Sequence, residues 1–317
     1  LNEEWGFNAK SAKRHKTQRK SFYTKRSWRT FFKAASMIKL RNFLFLVWLV
    51  PILTVVLAHF LTINSTPVIR MLAIVGLLFV GMKFVVFFFT PRQTRPSGKN
   101  LLWFLCWPGM RPSLFSKGPD AESLPADLLL KEGSVRLFSG ALLLLVAQLE
   151  FPLFLKMVFV MVGWSLLLHF GLFTLITAFY RYKGWKVRQP FFEPWNATGV
   201  GDFWSRRWNR IFSEMLSQSI SRPMIKKAGR TTAVMAVFGV SGLLHEAAIT
   251  LPLGKGYGGP LCYFLLQGFM VLAEGRLKDF RGFPRVLVFA IILLPLPLLF
   301  PVSFVRDVMM RMAGVFL

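Results

Sequence analysis

The sequence predicts an all-α polytopic membrane protein with about seven transmembrane helices, within one or two, plus interfacial or re-entrant helices. Three observations carry this. Apolar residues make up 54% of the 317-residue chain, and phenylalanine alone occurs 34 times; the polar residues of a soluble domain could not cover that much apolar surface. Several apolar runs reach the ~20 residues that cross ~30 Å of hydrocarbon, and the alternation of an outer-membrane barrel is absent. Finally, 34 of the 40 Lys and Arg fall in four stretches, residues 1–41, 91–136, 180–230 and 276–285. Hairpins of the intervening spans would return every basic stretch to one side, which the positive-inside rule makes cytoplasmic, the N-terminus included. The formal charge of +26 therefore reports topology and anionic lipid, not nucleic acid.

Taken in order, residues 1–41 hold twelve Lys or Arg against two Glu. They read as a basic tail, with an interfacial helix from Ser27 where Trp28, Phe31 and Phe32 interleave with Arg29 and Lys33. The remainder, 42–317, reads as a single membrane domain. Its first span covers about Phe43–Ile63; the run is full length and lacks a small-residue cleavage site, so no cleaved leader is expected. A second span follows at Val68–Phe89 after the turn Asn64-Ser65-Thr66-Pro67. Residues 91–136 read as a loop rich in Pro and Gly whose short run Leu101–Trp107 suits a re-entrant or interfacial piece. Further spans are expected at Leu137–Glu150, Leu153–Phe179, Thr231–Leu253, Leu261–Ala273 and Val286–Phe304. The last holds Pro295, Pro297 and Pro301, which rule out a straight helix. Cys106 and Cys262 show neither a disulfide framework nor metal spacing, and no permanently bound cofactor is expected.

The basic loop 180–230 carries the chemistry. Gly199 and Gly201 permit a tight turn, and Asp202 suits the N-cap of a following helix. At 100° per residue, Trp204, Trp208, Ile211, Phe212 and Met215 form one stripe, Arg206, Arg207 and Arg210 lie opposite, and Asn209 sits at the boundary. This is the pattern of one continuous helix in the membrane interface. It suits an anchor, and equally a cation cluster for an anionic ligand, since guanidinium groups match phosphate.

Four histidines separate by context. His15 belongs to the basic tail, while His59 and His169 suit ordinary interhelical hydrogen bonds. His245 lies in a span among the small residues Ser241, Gly242, Ala247 and Ala248, where another helix or a substrate could approach; intramembrane titratable groups mark function by default. Glu246 points about 100° away, so it is not automatically the partner of His245. Ile249 stands where a zinc-protease motif needs its second His. The glycine-rich run 254–259 lacks the ending of a phosphate loop and reads as a turn.

The run Asp202-Phe203-Trp204-Ser205-Arg206-Arg207-Trp208-Asn209, followed by His245 in a Ser-Gly-x-x-His-Glu setting, resembles the membrane-bound O-acyltransferase superfamily, most closely its wax synthase-like branch. The similarity covers residues 185–250, with Pro190–Trp195 as an aromatic lead-in. It implies acyl transfer from acyl-CoA to the hydroxyl of a lipophilic alcohol, with catalytic His245 and its partner Asn209. Arg206, Arg207, Arg210, Trp204 and Trp208 would border the acyl-CoA, a co-substrate that docks from the cytosolic side. The membrane would be a bacterial inner membrane or the endoplasmic reticulum. The same chemistry on a sterol, a diacylglycerol or a hydroxylated secondary metabolite is the alternative within the enzyme class. A transporter with a histidine pathway and a non-catalytic scaffold are the readings outside it.

Overall fold

The computed structural model describes residues 46–120, 122, 124–276 and 284–316. The described residues from Val50 onward belong to one compact unit. The expected tail, the interfacial helix from Ser27, the start of the first span and most of the 276–285 basic stretch lie outside the described residues, which are helical and contain no strand.

Helix α1 (Leu49–Leu61) turns back through Thr62–Ser65 into α2 (Pro67–Phe89), which Thr66 caps and Pro67 opens, the position where proline costs no hydrogen bond. Near the far end of α2, buried Lys83 donates to three backbone carbonyls, Phe104 at 2.8 Å, Trp107 at 2.5 Å and Gly109 at 2.6 Å. An ammonium has three protons, and all three are spent on fixing the short helix α3 (Lys99–Cys106). At eight residues, α3 is about 12 Å long, too short to cross.

Helix α4 (Asp127–Val146) begins ten residues before the expected span at Leu137. Its charged first turns are helical because they are exposed and paired, as in the i,i+4 bridge of Glu132 with Arg136 at 2.8 Å. It packs on the long helix Leu153–Tyr182, written here as α5 (Leu153–Trp164), a π-helical turn Ser165–Leu172, and α6 (Phe173–Tyr182). A Cβ on Gly140 would sit 2.8 Å from the Gly163 carbonyl oxygen, so glycine is what lets these two backbones meet.

Past the irregular segment that begins at Gly184, α7 (Arg210–Leu216) leads through the π turn Ser217–Ser221 into α8 (Arg222–His245). Gly229, at φ 79°, kinks α8, and the span expected from Thr231 starts just beyond that kink. A π turn Glu246–Thr250 follows, then α9 (Gly259–Arg276) runs back along α8. The final stretch, α10 (Arg285–Leu293) and α11 (Leu296–Leu299), bends by 70° into Val302–Met310. Pro301 stands at that bend, as the proline run predicts.

Among the described residues, three helices are long and apolar enough to cross a membrane, Pro67–Phe89, Leu153–Tyr182 and Arg210–Leu253, and the bent pair would make a fourth. Fewer helices pass this test than the seven spans expected, for physical reasons. The described part of the first run is a 13-residue helix, α4 carries charged turns, and α9 holds Gln267 and Glu274. Phe60, Phe138, Phe154 and Leu294 are 66–78% exposed, a surface that suits lipid and not water. The chain is an integral membrane protein.

Candidate functional site

The site is built where the basic loop meets α8 and α9. The lead-in is strapped to the motif by two backbone bonds, Phe192 N–H to the Arg207 carbonyl at 2.9 Å and Arg210 N–H to that of Pro190 at 2.8 Å. Asp202 does not cap the helix that begins at Val200. It lies inside the first turn with helical dihedrals, and the N–H groups of Val200 and Gly201, which start the turn, donate to the carboxylate of Glu274 at 3.1 and 2.8 Å. A carboxylate from α9 thus meets the positive end of this turn. Asp202 instead accepts from the Thr198 backbone at 3.1 Å and binds Arg206 and Arg207 at 2.9 and 2.7 Å. Burial pushes its carboxyl up, but the Arg207 and Thr198 hydrogen bonds and both guanidinium charges outweigh that and hold it below the usual carboxylate range.

The continuous interfacial helix expected from Asp202 to Met215 does not form. The chain makes a wide π turn over Phe203–Arg207, becomes extended at Trp208 (φ −92°, ψ 126°), and enters the left-handed region at Asn209 (φ 44°, ψ 53°). Asparagine tolerates that region better than other non-glycine residues. The Asn209 carbonyl then starts α7 by accepting from Phe212 and Ser213 at 3.0 and 3.1 Å. Its side-chain amide makes no hydrogen bond among the described residues. The break also splits the predicted stripe, since Phe212 faces a cavity while Ile211 faces a separate notch with Arg210.

That cavity, of about 270 Å³, is walled by Trp204, Trp208 and Asn209 on the loop side and by Ser241 and His245 of α8, with Phe264 of α9. Trp204 is held by its indole N–H, which donates to Gln267 at 3.1 Å; the fully buried Gln267 in turn donates to the Ile291 carbonyl at 2.9 Å. His245 packs against Phe264, ring centroids 4.3 Å apart and planes tilted by 40°. Its Nδ1 lies 2.7 Å from the Ser241 carbonyl oxygen. A carbonyl only accepts, so Nδ1 carries the proton and the lone pair of the neutral ring falls to Nε2. Glu246 is committed elsewhere, accepting from Thr250 Oγ1 at 2.5 Å and from Leu261 N–H at 3.1 Å, where it caps α9.

The other histidines stand apart. His59 Nδ1 accepts from Arg70 at 3.2 Å. His169 packs against Phe191 and Trp208 with its Nδ1 buried and unpartnered, outside the cavity lining. Arg206, Arg207 and Arg210 do not line the cavity either: Arg207 also reaches the Glu193 carbonyl at 3.0 Å, and Arg210 stacks over Phe192. Among the described residues no group of three or more His, Cys, Asp or Glu could hold a metal. Sequence reasoning missed Phe264, Gln267, Val271 and Glu274. Their spacing of three, four and three puts all of them on one face of α9, and a buried amide and a carboxylate on one face of an apolar helix were the available signal.

Residues 187–266 hold the strap, the motif, the kinked helix and His245. They match the membrane bound O-acyl transferase family. The chain is 34% identical over 104 residues to the probable long-chain-alcohol O-fatty-acyltransferase 1 of Arabidopsis thaliana, an alignment covering 30% of each. It is 24% identical over 246 residues to the probable long-chain-alcohol O-fatty-acyltransferase 9 of the same plant, covering 66% of this chain and 71% of the relative. Similarity extends to its acyl-CoA–sterol O-acyltransferase 1, at 28% over 102 residues and 29% of each. With the first of these relatives, the alignment spans about three tenths of the relative's length.

Proposed function

We propose that this protein transfers a fatty acyl group from acyl-CoA to the hydroxyl of a lipophilic alcohol, with His245 as general base and Asn209 as its partner. The observation that carries the reading is the committed Nδ1 proton of His245 in the wall shared with Asn209. Nε2 accepts the alcohol proton as the alcohol oxygen attacks the thioester carbonyl, a step worth ~10²–10⁴-fold. The carbonyl oxygen gathers negative charge, which the unspent Asn209 amide stabilises. Collapse breaks the C–S bond, and the imidazolium returns its proton to the departing thiolate, leaving ester and free CoA. Cys106 and Cys262 are outside the cavity lining, and among the described residues no lining serine hydroxyl is hydrogen-bonded to a histidine or a carboxylate, which favours direct transfer in a ternary complex over a covalent acyl-enzyme.

Polyanionic CoA enters from the basic cytosolic side, past the segment of Arg206, Arg207 and Arg210, with Trp204 and Trp208 flanking its arm. The acceptor arrives laterally from the bilayer. Long-chain alcohols are favoured by the names of the relatives, and a sterol by one of them. The test is an assay of membranes from expressing cells with labelled acyl-CoA and a panel of fatty alcohols, sterols and diacylglycerol. Ester should form with at least one acceptor, and His245→Ala should lower turnover by at least ~10² at unchanged membrane insertion. Near-normal turnover in that variant overturns the assignment.

A further inference from the structure

Arg111, Arg188 and Arg210 converge on a notch of about 10 Å³ on the face of α7 opposite the cavity, with Ile211 and Glu214. Their bonding differs from that of the motif arginines. The Nε of Arg111 is buried without a partner, and its guanidinium makes no hydrogen bond or ion pair among the described residues. Arg188 reaches Glu214 only at 4.0 Å. Arg210 has the ring of Phe192 and, among the described residues, no carboxylate within bridging distance. Three guanidinium groups thus share one distant carboxylate, and the charge of nearby Arg181 adds to the repulsion on Arg210. Holding like charges together around a partly buried, unsatisfied donor is unfavourable unless an anion joins them.

We propose that these three arginines form a phosphate-binding site at the cytosolic face. The notch takes one water-sized group, so one phosphate oxygen would seat among the guanidinium groups while the rest of the ligand stays outside. Planar guanidinium forks can bind phosphate oxygens in bidentate fashion, which a point charge cannot. Two ligands present this chemistry there: the phosphates of CoA, and the headgroup of an anionic lipid. The CoA case rests on the acyl-transfer reading and gives it an anchor about one helix diameter, ~10 Å, from the cavity.

The test uses the full chain in phosphatidylcholine nanodiscs. CoA binding is measured by calorimetry, and stabilisation by added phosphatidic acid is measured by thermal unfolding. Arg111→Gln and Arg188→Gln should each weaken one of these ligands roughly tenfold, whereas Lys186→Gln, at an exposed lysine already paired with Asp120, should leave both unchanged. Weakened CoA binding identifies the cofactor phosphates, and weakened phosphatidic acid response alone identifies the lipid. Arg188 is 64% exposed, so its variant carries the test if the more buried Arg111 variant fails to fold. Unaltered response to both ligands in Arg188→Gln overturns the site. Binding that responds in a protein that forms no ester would leave the site standing and remove only the acyl-transfer reading.

Discussion

His169 and His245 share an apolar setting in the sequence and differ in their hydrogen bonding in the fold. Both lie in apolar spans and both sit at a π-helical irregularity, His169 within Ser165–Leu172 and His245 just before Glu246–Thr250. Each packs against aromatic rings. What separates them is the second nitrogen. A carbonyl fixes the tautomer of His245 and leaves a lone pair at a cavity wall, while His169 has an unpartnered Nδ1 among Phe191 and Trp208. A base needs one nitrogen committed so that the other has a defined role; an imidazole without such a bond is packing.

The sharpest way to break this contrast is the same substitution at both positions. His→Phe keeps the aromatic volume and removes both nitrogens. At position 245 it should lower ester formation by at least ~10² while keeping the packing against Phe264. At position 169 turnover should stay within about threefold. Equal losses at the two sites would show that both act through packing.

A second effect, somewhat smaller, concerns Asn209. Alanine there would confound chemistry with backbone strain, because φ is 44°. Glycine enters the left-handed region freely, so Asn209→Gly removes the amide alone. We expect a loss of kcat of about 10² with membrane insertion preserved, the scale of deleting one oxyanion donor. Asn209→Asp, which keeps the shape and loses the donor, should behave alike; full activity in both would remove Asn209 from the chemistry.

Gln267 comes next. It touches the cavity wall only through Trp204, so it is a positioning residue. Gln267→Leu frees the indole and leaves the Ile291 carbonyl unpaired, and should lower turnover about tenfold. Trp204 fluorescence should shift in the same variant, a signature that general loss of stability would not give before unfolding. An unchanged spectrum with unchanged turnover would show that the Trp204–Gln267 bond positions nothing.

The positions of His245 and the basic loop were legible because intramembrane titratable groups and charge runs are one-dimensional signals. The break at Trp208 and Asn209 was not, since helical periodicity alone treats 202–215 as one helix; the left-handed asparagine was hidden inside an amphipathic pattern. Asp202 fits the N-cap rule, yet Glu274, 72 residues later, caps that turn through space. Arginine count in the motif likewise does not show which of the charges are already paired. Asp202 neutralises part of Arg206 and Arg207, while Arg111, from a different loop, has no side-chain partner among the described residues. Pairing across the fold decides these cases, and no local spacing encodes it.

The smallest effect is on stability, at His169 itself. A buried nitrogen without a partner costs roughly 1–3 kcal/mol, and replacing it with an apolar group of the same shape is close to neutral or stabilising. His169→Phe should therefore leave thermal unfolding in detergent unchanged or raise its midpoint by a few degrees. His245→Phe should lower the midpoint slightly, because it deletes a 2.7 Å bond to Ser241. The sign of the difference is what matters: the residue whose loss is expected to harm activity most also makes the bond that stability notices, and the residue whose loss is expected to be silent makes none among the described residues. A midpoint that falls further for His169→Phe than for His245→Phe would mean that Nδ1 of His169 has a partner in the membrane, and the contrast between the two histidines would have to be drawn on activity alone.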